Sequence, residues 1–126
     1  MSEFRSYRDL RVWQNAVDFV VKLYTLTASF PKSENYGLTS QMRRASVSIP
    51  SNIAEGHVRS RKEYAHFLTV ALSSLAELET QMEIARRIGF IFQSDFDHFS
   101  EELTIVGKQL NVLTSRVRRP RTGTST

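Results

Sequence analysis

The chain of 126 residues contains no cysteine, only three prolines and five glycines, and a single tryptophan. Without cysteine there is no disulfide framework, thiol nucleophile or thiolate metal site, which accords with a reducing compartment. So few prolines and glycines leave long helices unopposed. No run approaches the roughly 18–20 apolar residues of a membrane span. The stretch Met1–Leu10 is charged and lacks a signal-peptide core. These absences point to a cytoplasmic protein. Hydrophobic residues make up 40% and charged residues 24%, ordinary for a globular domain. The length suits one domain with a real core.

Apolar spacing divides the chain into four helical segments. In the first, about Leu10 to Ala28, one series is Leu10, Trp13, Val17, Val20 and Tyr24. A second, Val12, Ala16, Phe19, Leu23 and Leu26, lies beside it. Two apolar stripes are more than a bundle helix needs, so Val12, Phe19 and Leu23 are expected to face another subunit. Pro31 ends the segment by disfavouring helix at the residue before it.

The second segment begins between Ser33 and Leu38 and runs towards Glu55, with Leu38, Met42, Ala45, Ile49 and Ile53 inward. Pro50 cannot donate to the Ser46 carbonyl, so a kink or break is expected there. Gly56 suits the left-handed residue that follows a helix. Ser60-Arg61-Lys62-Glu63 is a capping box opening the third helix. Tyr64, Leu68, Ala71, Leu75, Leu78, Met82 and Ala85 mark its core face, and Gly89 closes it after roughly 28 residues, about 42 Å. The fourth starts at a Ser94 cap and carries Phe96, Phe99, Leu103, Val106, Leu110, Leu113 and Val117 inward. Asp95 and Asp97 suit its positive end, Arg116, Arg118 and Arg119 its negative end. Short connections predict an all-α, antiparallel up-down-up-down four-helix bundle over residues 1–118, with 119–126 a flexible tail.

That topology concentrates charge. The net charge is +4 and the isoelectric point about 9.8. The start of the first helix contributes Arg5, Arg8 and Arg11; the second connection contributes Arg59, Arg61 and Lys62; the end of the fourth contributes Arg116, Arg118, Arg119 and Arg121. Ten of the 17 basic residues thus meet at one end, against Glu3, Asp9, Glu55 and Glu63. Such a face suits phosphates of RNA or DNA. Charge clustering alone is a non-specific signal, and aromatic interleaving there is thin, with Phe4 and Tyr7.

Catalytic patterns fail on inspection. Glu63-x-x-His66 and Asp95-x-x-His98 mimic the di-iron carboxylate-x-x-histidine step but open different helices at opposite ends. Ser51, His57 and Glu55 could be written as a triad, yet no nucleophile elbow accompanies them. The glycines form no phosphate loop. No catalytic residue, metal, cofactor or small-molecule substrate is expected.

The stretches Phe30-Pro31-Lys32-Ser33-Glu34, Tyr36-Gly37-Leu38-Thr39-Ser40-Gln41 and Arg43-Arg44-Ala45-Ser46-Val47-Ser48-Ile49-Pro50-Ser51-Asn52-Ile53-Ala54-Glu55-Gly56 resemble the proteins encoded in intervening sequences of bacterial 23S ribosomal RNA genes. Asp9-Leu10-x-Val12-Trp13 and Leu75-x-Glu77-Leu78-Glu79-Thr80-Gln81 extend the resemblance to about Phe4–Arg118. One departure is Ser73-Ser74, where the family usually has Gly-Ser. The resemblance implies a left-handed four-helix bundle assembling as a homopentamer, with no established enzymatic activity. A similar fold occurs in the accessory variability determinant of diversity-generating retroelements, a basic pentamer associated with a reverse transcriptase and nucleic acid. Among the matched positions, Gln41, Arg44, Ser48, Asn52 and Glu55 share one helix face and are expected to line an intersubunit seam. The leading expectation is a non-enzymatic, oligomeric, nucleic-acid-associated module. The alternative is a protein-interaction scaffold forming a ring with no nucleic-acid role.

Overall fold

The computed structural model describes residues 6–119. Four α-helices account for most of them: α1 Arg11–Thr27, α2 Leu38–His57, α3 Arg61–Arg87 and α4 Gln93–Arg118. Short 3-10 turns at Tyr7–Asp9 and Lys32–Glu34 precede α1 and α2. No strand occurs among the described residues. Each helix packs on its neighbours in the chain, and α1 also meets α4, so the four surround a common core. Phe4, Arg5, Arg121 and the expected tail beyond Arg119 lie outside the described residues.

Helix termini follow local chemistry. The Ser60 side chain accepts from the Glu63 amide while the Glu63 carboxylate accepts from the Ser60 amide, the reciprocal capping box. At the other end of α3, Gly89 takes φ +86°. The Phe90 amide then reaches the Ala85 carbonyl at 2.8 Å and the Gly89 amide that of Arg86 at 3.1 Å, a Schellman closure. The start of α4 differs from expectation. Phe92, not Ser94, is its N-cap residue, and no side-chain hydrogen bond caps it. Asp95 in the first turn still complements the positive helix end.

The core comprises Met42, Ala45, Ile49 and Ile53 of α2, Leu68, Ala71, Leu75, Leu78, Met82 and Ala85 of α3, and Phe99, Leu103, Val106 and Leu110 of α4. The α1 contribution is Val12, Ala16, Phe19 and Leu23, all at most 5% exposed. This corrects the expectation that Val12, Phe19 and Leu23 lack a partner within the chain. They are the inward stripe, with the Phe19 ring edge-on to Phe99 at 5.5 Å. The other series, Trp13, Val17 and Val20, is only half covered.

Of the kink or break expected at Pro50 the break does not occur, and the expectation for Gly56 is corrected. The helix runs through Pro50 without interruption to His57, and Pro50 is itself buried. Placing its ring in the core removes apolar surface from water, which offsets the missing hydrogen bond to Ser46. Gly56 is not a terminator but lies inside the last turn, buried. A Cβ there would sit 2.7 Å from Phe67 Cβ and 3.0 Å from Tyr64 Cδ1. The glycine is needed because α2 and α3 touch almost backbone to backbone. The Ser73-Ser74 departure has no comparable consequence: Ser73 is exposed, and Ser74 shares a 2.7 Å hydrogen bond with Ser48 across the α2–α3 contact.

Two glycine-to-alanine variants separate propensity from packing. Gly56→Ala is expected to destabilise by about 1–2 kcal/mol, because Phe67 Cβ cannot move without its backbone. Gly107→Ala in α4 places its Cβ at an ordinary 3.7 Å from Leu75. It is expected to stabilise by about 0.5–1 kcal/mol through helix propensity. Urea unfolding of both proteins measures the sign; equal effects would refute the close-approach account.

Candidate nucleic-acid interface

Contacts, rather than topology alone, bring the cationic segments together. Arg61 at the start of α3 donates to the carbonyls of Arg116 (2.9 Å) and Arg119 (3.2 Å) at the end of α4. A guanidinium thus satisfies carbonyls that a helix end leaves without partners. Arg118 donates to Thr69 Oγ1 of α3 at 3.1 Å. Between the start of α1 and the end of α4 lies a groove of about 320 Å³. Leu10, Val12, Val112 and Leu113 form its apolar wall, and Arg11, Lys108 and Arg116 flank it. Arg11, Arg59, Arg61, Lys62, Arg116, Arg118 and Arg119 are all exposed, as is Arg8.

The start of α1 is anchored by aromatic contacts. The Tyr7 ring lies 5.3 Å from Trp13 and 6.5 Å from His57, both edge-on, and His57 lies 5.6 Å from Tyr64. This chain of rings joins the first turn to α1, the end of α2 and the start of α3. The Arg8 guanidinium sits 5.4 Å from the Trp13 ring centroid, a cation–π distance. Arg59 lies 5.2 Å from Phe67 and pairs with Glu55 at 2.9 Å. Sequence reasoning counted only Phe4 and Tyr7 as aromatic here and missed Trp13, His57 and Tyr64. Their positions along the chain carry no shared period: the α2–α3 turn sets His57 against Tyr64, and packing of the first turn on α2 adds Tyr7 and with it Trp13.

Charge pairing differs between this end and the rest of the molecule. Among the described residues, Arg59 is the one cation of the basic end within 4 Å of a carboxylate. Elsewhere Arg86 and Arg87 converge on Glu83, and their hydrogen bonds hold its carboxyl below the usual range. Lys22 pairs with Glu102 at 2.8 Å, and that bond raises the Lys22 pKa. His98 Nε2 also lies 3.0 Å from Glu102 Oε2. The net positive charge is therefore left uncompensated mainly at one end.

The α2 polar stripe is divided. Gln41, Arg44 and Glu55 are exposed, whereas Ser48 and Asn52 are half-buried. Asn52 Nδ2 donates to the Ser48 carbonyl at 2.7 Å and to Ser48 Oγ at 2.9 Å. With Ser48 also bonded to Ser74, the middle of the stripe is used within the chain.

The carboxylates and histidines of the di-iron-like patterns have other surroundings. Glu63 is engaged in its capping box, His66 is exposed, and His98 faces Glu102 on the neighbouring turn. Among the described residues no three His, Asp or Glu side chains converge as a metal site, and no helix is long and apolar enough to cross a membrane.

The fold and this end define a helical bundle with one cationic pole. A family model described as 23S rRNA-intervening sequence protein matches residues 8–112, and the chain belongs to that family. A crystal structure at 1.70 Å resolution of a protein of unknown function from the S23 ribosomal protein family of Bacteroides thetaiotaomicron is similar in fold. Its TM-score is 0.76 at 22% identity, covering 82% of this chain and 95% of that one. No curated protein sequence matches significantly.

Burial pushes the Tyr64 phenol up to about 12 from an ordinary 10.0. Its hydroxyl also has no hydrogen-bond partner. The folded protein keeps this proton where the unfolded chain releases it, so stability falls as pH rises from about 10 to 12. In Tyr64→Phe that alkaline decline is expected to be shallower, with neutral-pH stability equal or slightly higher. Thermal unfolding midpoints measured from about pH 8 to about pH 12 bracket the ordinary and the raised value and check this. Parallel curves for the two proteins would refute it.

Proposed function

We propose that this protein is a non-enzymatic, oligomeric module that holds RNA or DNA by its phosphates at the basic end. The observation that carries the proposal is the convergence of Arg8, Arg11, Arg61, Lys62, Arg116, Arg118 and Arg119, none within 4 Å of a carboxylate among the described residues. Exposed cations drawn from three chain segments, spread over an end rather than lined along a groove-sized helix, suit backbone contacts more than base reading. Tyr7 and Trp13, held beside Arg8, offer ring surface for a base of a single strand.

Oligomerisation is what the family resemblance implies. The buried Val12, Phe19 and Leu23 leave this role to other residues. Val21, Ile105 and Val112 on α1 and α4 are at least half exposed, and they offer apolar surface for a second copy. The same apolar surface favours the scaffold reading if no nucleic acid binds.

Fluorescence anisotropy with structured RNA and duplex DNA across a salt series tests the phosphate site. Binding is expected to weaken steeply with salt, with little sequence preference. Neutralising Arg116, Arg118 and Arg119 together should reduce the salt slope by up to about 3 and cost most of the affinity at moderate salt. Absence of binding at low salt would remove the nucleic-acid reading and leave the scaffold.

Light scattering on the eluting protein tests assembly. A mass of several 14.5 kDa chains is expected for the wild type. The double variant Val21→Asp, Val112→Asp should shift it towards the single chain, since each aspartate would have to be buried at the contact. An unchanged mass would place the interface elsewhere.

A further inference from the structure

Away from the basic end, the last turn of α1, the connection that follows it and the first half of α2 border an open recess of about 680 Å³. It is lined by Tyr24, Asn35, Thr39, Ser40, Arg43, Arg44, Val47 and Ser48, two cations with four hydroxyls and an amide and no carboxylate. Arg43 lies about 20 Å along α2 from the basic end, by helix rise.

Arg43 is fixed in place without an acidic partner. Its Nε donates to Thr27 Oγ1 at 2.9 Å and its Nη2 to the Tyr24 carbonyl at 3.1 Å. The guanidinium also sits 4.4 Å from the Tyr24 ring centroid. Thr27, in turn, is held by its own bond to the Leu23 carbonyl at 2.8 Å. A guanidinium has five N–H donors, so three remain for a ligand, in a planar fork that fits phosphate oxygens. Arg44, beside it, is exposed and has no carboxylate within 4 Å among the described residues. Thr39 is 4% exposed, and its Oγ1 has no hydrogen-bond partner.

We propose that this recess binds a small phosphate monoester with a flat apolar body, a nucleoside monophosphate being the matching class. Two cations suit a dianionic group better than a single carboxylate. The volume exceeds what a lone phosphate fills and lies in the range of small-molecule sites. Tyr24 and Val47, 42% and 38% exposed, supply apolar wall for the body of the ligand. The first amide of α2 plays no part: Glu34 Oε1 already accepts from Leu38 at 2.9 Å.

Isothermal titration calorimetry of the intact protein with AMP, inorganic phosphate and adenosine tests the assignment. AMP is expected to bind more tightly than either fragment. Arg44→Gln, an exposed position, should weaken AMP at least about tenfold, in line with loss of one charged hydrogen bond. Arg43→Lys keeps the charge but loses the fork and should weaken it comparably. The Arg116, Arg118 and Arg119 neutralised variant should bind AMP unchanged, so this site and the basic end fail or stand separately. Three results would each overturn the proposal: no heat with AMP at millimolar concentration, affinity unaffected by both α2 variants, or affinity lost in the basic-end variant. Equal affinity for AMP and inorganic phosphate would overturn the part that assigns a nucleoside body.

Discussion

The near-contact of the α2 and α3 backbones at Gly56 is the constraint on which the basic end depends. With no side chain at Gly56, Phe67 and Tyr64 press directly onto the last turn of α2. That approach leaves only a short turn between His57 and Arg61, so Arg59, Arg61 and Lys62 project from one small area. It also sets His57 against Tyr64 and, through Tyr7, draws the residues before α1 onto the same end. Arg61, positioned by the capping box that opens α3, then reaches the last carbonyls of α4. A wider α2–α3 spacing would loosen all of these contacts together.

Electrostatic compensation explains why a modest net charge produces one cationic pole. Glu83 and Glu102 each bind cations of their own neighbourhood, while the basic end has Glu55 for Arg59 and Glu63 committed to its cap. Arg61 illustrates a double role: its charge adds to the pole while its hydrogen bonds close α4. Arg43 shows the opposite arrangement, a guanidinium placed by a hydroxyl, a carbonyl and a ring rather than by an acid. Its charge is therefore not cancelled by what holds it.

Where helices begin and end is largely legible in the sequence, because caps and breakers act within a few residues. The Ser60 box and the Gly89 closure behave as their local chemistry requires. Gly56 escapes such a reading because a glycine near a helix end serves equally for a left-handed residue and for a close neighbour, and the second use is decided by another helix. Pro50 is similar, since the local cost of its missing donor is visible in the sequence and its burial is not. The two apolar stripes of α1 are alike in content, and nothing local says which faces inward. The presence of Phe99 opposite Phe19 is a property of the packed bundle.

The sequence by itself determined four amphipathic helices, their order, the family, and an excess of cations in three segments, since each follows from short-range spacing or composition. Tertiary packing alone decided which α1 stripe is core, which cations remain unpaired, how Tyr7, Trp13, His57 and Tyr64 meet, and that Arg43, Arg44 and Thr39 share a recess with Tyr24. Those facts rest on side chains far apart along the chain, whose distances are fixed only when close-packed helices choose a single mutual arrangement.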